Sequence, residues 1–269
     1  MAKLEYTFRR DTLFKMLFCK KPKLLKCLIS QLLGIKLNRI RQFEILNTEI
    51  PPDIFGTKFC RFDIVMLING QRVVLEVQDK NLGNYGERSL YYASREYSIS
   101  LEEGQDYAKI PRVILINIIN FSLFEVTKFY SEVQPLEVEC HAPLTDKMTI
   151  GYYDLTKLPE KLDKRNLKLL WLCLFKADTD ERLKEIKELG VEIMSEAVDT
   201  YYDIVSSKEF KELERLRLKA KNDEFLALNS SFNKGEKKGA KDERKKWQGV
   251  VAEKDALIEE LKKQLAEKK

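Results

Sequence analysis

The residue types best suited to chemistry sit close together. Asp63 and Glu76 are acids set into two otherwise apolar runs, and Arg61 and Gln78 accompany them two residues away on each run. Two carboxylates held against each other on neighbouring strands repel. A divalent cation turns that repulsion into binding, and hard oxygen ligands with room left for water and phosphate suit Mg²⁺ (or Mn²⁺). Such an ion activates water and polarises a phosphodiester. The plainer reading of the same residues is two acids facing water at the rim of a sheet.

The elements that must position these residues follow from the stretch Arg61 to Gln78. Two β-branched, apolar runs flank Asn69-Gly70, a dipeptide that favours the positive φ angles of a type I′ hairpin turn. With that loop, Ile68 faces Gln71, Asp63 lies opposite Glu76, and Arg61 lies opposite Gln78. Alternation then puts Arg61, Asp63, Glu76 and Gln78 on one face, and Phe62, Ile64, Met66, Val73, Leu75 and Val77 on the other, which is built to be buried.

Around the hairpin the chain alternates between helix and strand signals. Residues 7–18 carry Phe14, Leu17 and Phe18 on one helical face, with Asp11 placed to cap the turn. Residues 22–34 read as a helix opened by Pro22 and stopped by Gly34. Residues 40–50 read as a strand that Glu49 closes, with Glu49 either approaching a metal from a neighbouring strand or facing water. A helix over roughly 84–103, ended by Gly104, places Arg88, Tyr92 and Arg95 on one broad face. Val113 to Phe121 is a nearly continuous apolar run, hence a central strand. Residues 124–133 and 147–155 extend the sheet.

These residues carry a resemblance. Asp63 followed by Glu76-x-Gln78 resembles the Asp … Glu-x-Lys motif of the PD-(D/E)XK nuclease superfamily, with Gln in the Lys place. The chain more closely resembles the Rpn family of recombination-promoting nucleases, also called PD-(D/E)XK family transposases. The matching pieces are Asp11-x-x-Phe14-Lys15-x-x-Phe18, Asn47-x-Glu49, Arg61-x-Asp63, Glu76-x-Gln78, Arg88-x-x-Tyr91-Tyr92 and Gly104-x-x-Tyr107, in the family's order, over about residues 6–155. Lys234-Gly235-Glu236 and Lys238-Gly239 resemble the glycine-and-charge repeats that end many members.

The resemblance implies an α/β fold with a restriction-endonuclease-like αβββαβ core, a mixed sheet flanked by helices, and a helical C-terminal region. It implies Asp63, Glu76 and the Val77 carbonyl as ligands of one Mg²⁺ (or Mn²⁺), and Gln78 as the residue that orients water. Arg88 and Tyr92 would face the scissile phosphate, with Asp11, Glu49 and Arg61 nearby. The neutral Gln78 amide supplies neither a cation nor a proton, which leaves Arg88, or Arg61 beside it, as the candidate source of the missing charge. DNA is the implied partner. A catalytically silent DNA-binding protein on the same fold, or a nuclease acting on RNA or single strands, fits the same residues.

Composition bounds the remainder. The 269 residues suffice for a catalytic domain with a helical tail. The net charge is +5, and the stretch Lys234 to Lys246, with seven Lys/Arg and three Asp/Glu, carries most of it. Five scattered cysteines without C-x-x-C spacing read as reduced core thiols. With no early apolar run and none near membrane-spanning length, a cytoplasmic location away from membranes is expected. A single histidine, His141, excludes multi-histidine centres, and no phosphate-cradling glycine loop is present. The organisation expected is a nuclease-like domain over residues 1–158, a helical region over 159–229, a basic Gly/Lys linker over 230–246, and a short coiled-coil-like helix over 247–269. In that last segment Val251, Ile258 and Leu265 recur every seven residues, with Leu261 between the last two, which points to a homodimer through the C-terminal helices.

Overall fold

A computed structural model describes residues 3–46, 49–50, 60–61, 64–101 and 104–267. Among these the helices are α1 (Asp11–Lys20), α2 (Pro22–Leu33), α3 (Tyr85–Ile99), α4 (Leu167–Lys176), α5 (Asp180–Glu188), α6 (Glu192–Ser206) and α7 (Lys208–Glu267). The strands are β1 (Phe43–Ile45), β2 (Glu49–Ile50), β3 (Cys60–Arg61), β4 (Ile64–Ile68), β5 (Gln71–Gln78), β6 (Val113–Ile119), β7 (Tyr130–Val133) and β8 (Met148–Asp154). Six form one mixed sheet in the order β1-β4-β5-β6-β8-β7, and β2 and β3 form a separate antiparallel pair.

The hairpin forms in the expected register, Ile68 opposite Gln71 and Ile64 opposite Leu75. Asn69 and Gly70 have φ of 48° and 79°, the left-handed values a type I′ turn requires. The Asn69 side chain also accepts from the backbone N–H groups of Arg41 and Gln42 and donates to the Arg39 carbonyl. The turn residue thus fastens the chain entering β1 to the hairpin it will join. Asp63, expected opposite Glu76, lies outside the described residues.

Parallel pairing of β5 with β6 and of β6 with β8 puts the all-buried β6 at the sheet centre. One face, with Ile64, Met66, Val73, Leu75, Val77, Ile116 and Ile118, packs in a large core with α1, α2, α4, α5 and α6. The aromatic rings of Phe8, Phe14, Phe18, Trp171, Phe175 and Tyr201 interlock there. The other face, with Val65, Val74, Leu115 and Ile150, is covered by Tyr85, Tyr92 and Ala93 of α3. The face that carries Glu76 is therefore also buried.

Several expectations are corrected. Helices α4 to α6 share one core with α1, α2 and the sheet and belong to one compact unit, Met1–Lys211. A boundary after residue 158 would strip a sheet face of its cover. The expected linker over 230–246 is helical, because α7 runs unbroken from Lys208 to Glu267. Gly235 and Gly239 each cost about 1 kcal/mol relative to Ala, and the surrounding Lys, Glu, Ala and Arg residues offset that cost. The region Glu212–Lys269 forms the second unit. Helix α3 stops at Ile99, before Gly104. Of the cysteines whose side chains are described, Cys27 and Cys173 are buried, as expected, while Cys19 and Cys140 are exposed. His141 is an exposed loop residue with positive φ. Among the described residues no helix is long and apolar enough to cross a membrane.

Candidate active site

The site gathers at the C-terminal end of β5. Period-2 alternation turns Glu76 and Gln78 toward α3, and Asn117 on β6 is the parallel neighbour of Glu76. Helix α3 is laid over these residues by its own spacing, since Tyr85, Ser89, Tyr92 and Glu96 are all buried against the sheet. Glu76 is 3% exposed, so its carboxyl group has been taken almost wholly out of water. Arg88 Nη2 lies 3.8 Å from Glu76 Oε2.

Arg88 is held on several sides. Its guanidinium lies over the Tyr92 ring at 5.1 Å and near the Tyr85 ring at 5.9 Å, a cation–π arrangement. Its Nη1 makes a long 3.5 Å contact to Gln78 Oε1. Burial opposes the charge on Arg88, but Tyr92 and Glu76 outweigh it and hold the guanidinium above its ordinary pKa. Gln78 in turn donates through Nε2 to the Lys80 carbonyl at 3.0 Å. The amide oxygen therefore faces the cation and the amide nitrogen faces the chain leaving β5.

A buried polar layer supports this arrangement. Tyr85 donates its hydroxyl hydrogen to Asn117 Oδ1 at 2.8 Å, and Asn117 Nδ2 donates to the Gly151 carbonyl at 3.1 Å. Ser89 bonds the Tyr152 hydroxyl. Three elements, α3, β6 and β8, are thereby fixed in one depth and rotation beneath Arg88.

A second brace lies one residue beyond Gln78. Arg9, buried just before α1, bonds Asp79 Oδ1 through Nε at 2.7 Å, the Phe175 carbonyl through Nη1, and Asp178 through Nη2. Asn120 Nδ2 also donates to Asp79 at 3.0 Å, and the Asn120 backbone N–H donates to the Gln78 carbonyl at 3.0 Å. Partial burial pushes the Asp79 carboxyl up, but the hydrogen bond and charge of Arg9 more than offset this and hold it below the usual carboxylate range. The ends of β5 and α4 thus converge on one guanidinium, and the end of β6 joins them through Asp79.

Of the residues expected at the site, Glu76, Gln78, Arg88 and Tyr92 are brought together. Val77 turns its side chain into the opposite core and leaves its backbone between Glu76 and Gln78. Asp11 is the first residue of α1 and makes no N-cap; the N-cap is Arg10, and Asp11 pairs with Lys15 at 3.0 Å. Its carboxylate still favours the positive end of the helix dipole. Glu49 and Arg61 are register partners in the β2–β3 pair. Among the described residues no group of three or more metal-ligating side chains occurs.

Arg9, Asp79 and Asn117 do not stand out in the sequence as site residues. Asn117 carries a signal, being the lone polar residue within an apolar strand of seven. Arg9 carries only a faint one, a charge between Phe8 and Leu13, both of which are buried.

A mixed sheet between helical layers, with a buried acid and, two residues on, an amide at the end of a central strand, beside a helix that presents Arg88, is the arrangement of a PD-(D/E)XK-type nuclease core. A family model described as PD-(D/E)XK nuclease family transposase matches residues 8–231. The chain belongs to that family, and its membership supports a nuclease- or transposase-related function. The match runs through α6 and into α7, so the family unit includes the helices that complete the core. No curated protein and no solved structure matches the chain.

Proposed function

We propose that the chain is a divalent-metal-dependent DNA endonuclease that promotes recombination or serves a mobile element. The observation that carries this reading is the buried Glu76 carboxylate beside Arg88 and Gln78 at the end of β5. An ionised carboxylate removed from water demands positive charge nearby, and a hard oxygen donor suits Mg²⁺ or Mn²⁺. Asp63, Glu76 and the Val77 carbonyl would hold the ion. Such an ion, when bound, supplies Lewis-acid polarisation of a phosphodiester and lowers the pKa of a water.

The chain's own residues do the rest. Gln78 accepts from Arg88 and donates to Lys80, so it can fix a water by its amide but cannot take or give a proton. Arg88, clamped by Tyr92 and Tyr85, presents a permanent positive charge to a phosphate. Asp11, Glu49 and Arg61 are the further supporting candidates of this reading. The apolar residues Trp247, Val251, Ile258 and Leu261 on α7 are all exposed, which supports a homodimer through the C-terminal helices. Free buried thiols are compatible with work in a reducing cytoplasm.

Supercoiled plasmid tests the reading, with Mg²⁺ or Mn²⁺ against EDTA and with Asp63→Ala and Glu76→Ala beside the wild type. Metal-dependent nicking lost in both variants is the expected result. Folded protein that binds plasmid, never cuts it and is unchanged by either substitution would instead indicate a silent DNA-binding protein. Cleavage of RNA or single strands alone would redirect the substrate assignment.

A further inference from the structure

We infer that α7 carries a second nucleic-acid surface, a phosphate-binding face built from Lys234, Lys237, Lys238, Lys241, Arg244 and Lys245. The proposal extends the DNA reading above to a part of the chain outside the candidate active site. Its basis is that these residues lie within one continuous helix. At about 100° per residue, all six fall within an arc of about 120°. The acids of the same stretch, Glu236, Asp242 and Glu243, fall outside that arc. A flexible linker would have scattered the same charges in every direction.

All six basic residues are exposed, and none is ion-paired among the described residues. No described residue therefore neutralises the face. From Lys234 to Lys245 the axial rise is roughly 16 Å at 1.5 Å per residue. Duplex DNA carries about one charge per 1.7 Å of its axis, so a backbone of that length offers ample partners. An anionic membrane would also attract lysines, but interfacial helices need an apolar face to insert. Opposite the basic arc this stretch offers Gly235, Gly239, Glu236 and Glu243, so a nucleic-acid backbone is the fitting occupant.

The test measures binding of the full-length chain to a labelled duplex in EDTA, so that cleavage does not enter. The on-face variant is Lys234→Gln/Lys238→Gln/Lys241→Gln. The off-face variant, Lys221→Gln/Lys246→Gln/Lys254→Gln, removes the same net charge from other sides of α7. Glutamine keeps helix propensity, and circular dichroism confirms helicity in both. With three fewer phosphates neutralised, the on-face slope of log affinity against log salt should be shallower than wild type by about 2.7. Between 50 and 200 mM salt, wild-type affinity should then fall about 40-fold further than that of the variant. The off-face variant should keep the wild-type slope. Equal loss in both variants, or loss in neither, overturns the proposal. So does on-face-dependent capture of phosphatidylserine vesicles without duplex binding. Because the readout is binding in EDTA, a failure of the nuclease reading leaves this result separately readable.

Discussion

Removing the Arg9 guanidinium should destabilise the first unit by about 2–4 kcal/mol. Arg9 makes three charge-assisted or buried hydrogen bonds, to Asp79, Asp178 and the Phe175 carbonyl. Taken at full value these would sum to roughly 5–9 kcal/mol, at about 1.5–3 each. That figure is too large, because the partner carboxylates are 48% and 59% exposed. Water replaces Arg9 at both, leaving about 0–1 kcal/mol apiece. The Phe175 carbonyl is buried and gains no such replacement, which costs about 1–3 kcal/mol. Arg9→Ala also empties the space of the buried stem. For a unit of this size 1 kcal/mol moves Tm by roughly 2–4 °C, so Arg9→Ala should melt about 4–16 °C below wild type in a calorimetric scan. Arg9→Lys keeps the charge but cannot span three acceptors, and should fall between the two. A Tm for Arg9→Ala within 2 °C of wild type would refute the view that this residue ties β5 to α1 and α4.

Four further outcomes are expected. Asp79 has a folded pKa below its unfolded value, so its contribution is fully present above the unfolded value near 3.8 and is lost as pH falls through the folded one; Asp79→Asn should flatten the stability profile below about pH 4, read by urea melts. Tyr85→Phe removes the 2.8 Å bond to Asn117 and should cost about 1–3 kcal/mol by leaving a buried acceptor unmet. Gly70→Ala meets no steric neighbour, yet φ is +79°, so it should cost about 1–2 kcal/mol through backbone strain alone. Gly235→Ala with Gly239→Ala also meets no neighbour and should raise the thermal midpoint of helicity in α7, each change being worth about 0.8–1.0 kcal/mol.

The parts of the fold legible in sequence are those that local sterics decide. Asn69-Gly70 tolerates the left-handed angles of its turn, and the turn alone sets the register from Ile68 to Ile64. Pro22 and Gly34 bracket α2 for similar reasons; Gly34 caps it at φ +67° while Ile35 donates to the Ser30 carbonyl. The nearly continuous apolar run at β6, broken by Asn117, reads as a covered central strand. Glu76 and Gln78 are legible because they interrupt the apolar run of β5 at alternate positions.

Tertiary structure decides what joins distant segments. The Arg9 contacts span 70 residues to Asp79 and 169 to Asp178, and no periodicity encodes a pairing at such range. The burial of Glu76 depends on α3 docking over it, a packing outcome rather than a local preference. A domain boundary after residue 158 fails for the same reason, since the apolar sides of α4 to α6 find the sheet face that needs covering. In α7 the glycines suggest a break, but helix propagation is cooperative and carries isolated unfavourable residues within a long favourable run. Residue spacing fixed where each side chain stands on its own element, and long-range packing fixed which of those side chains meet.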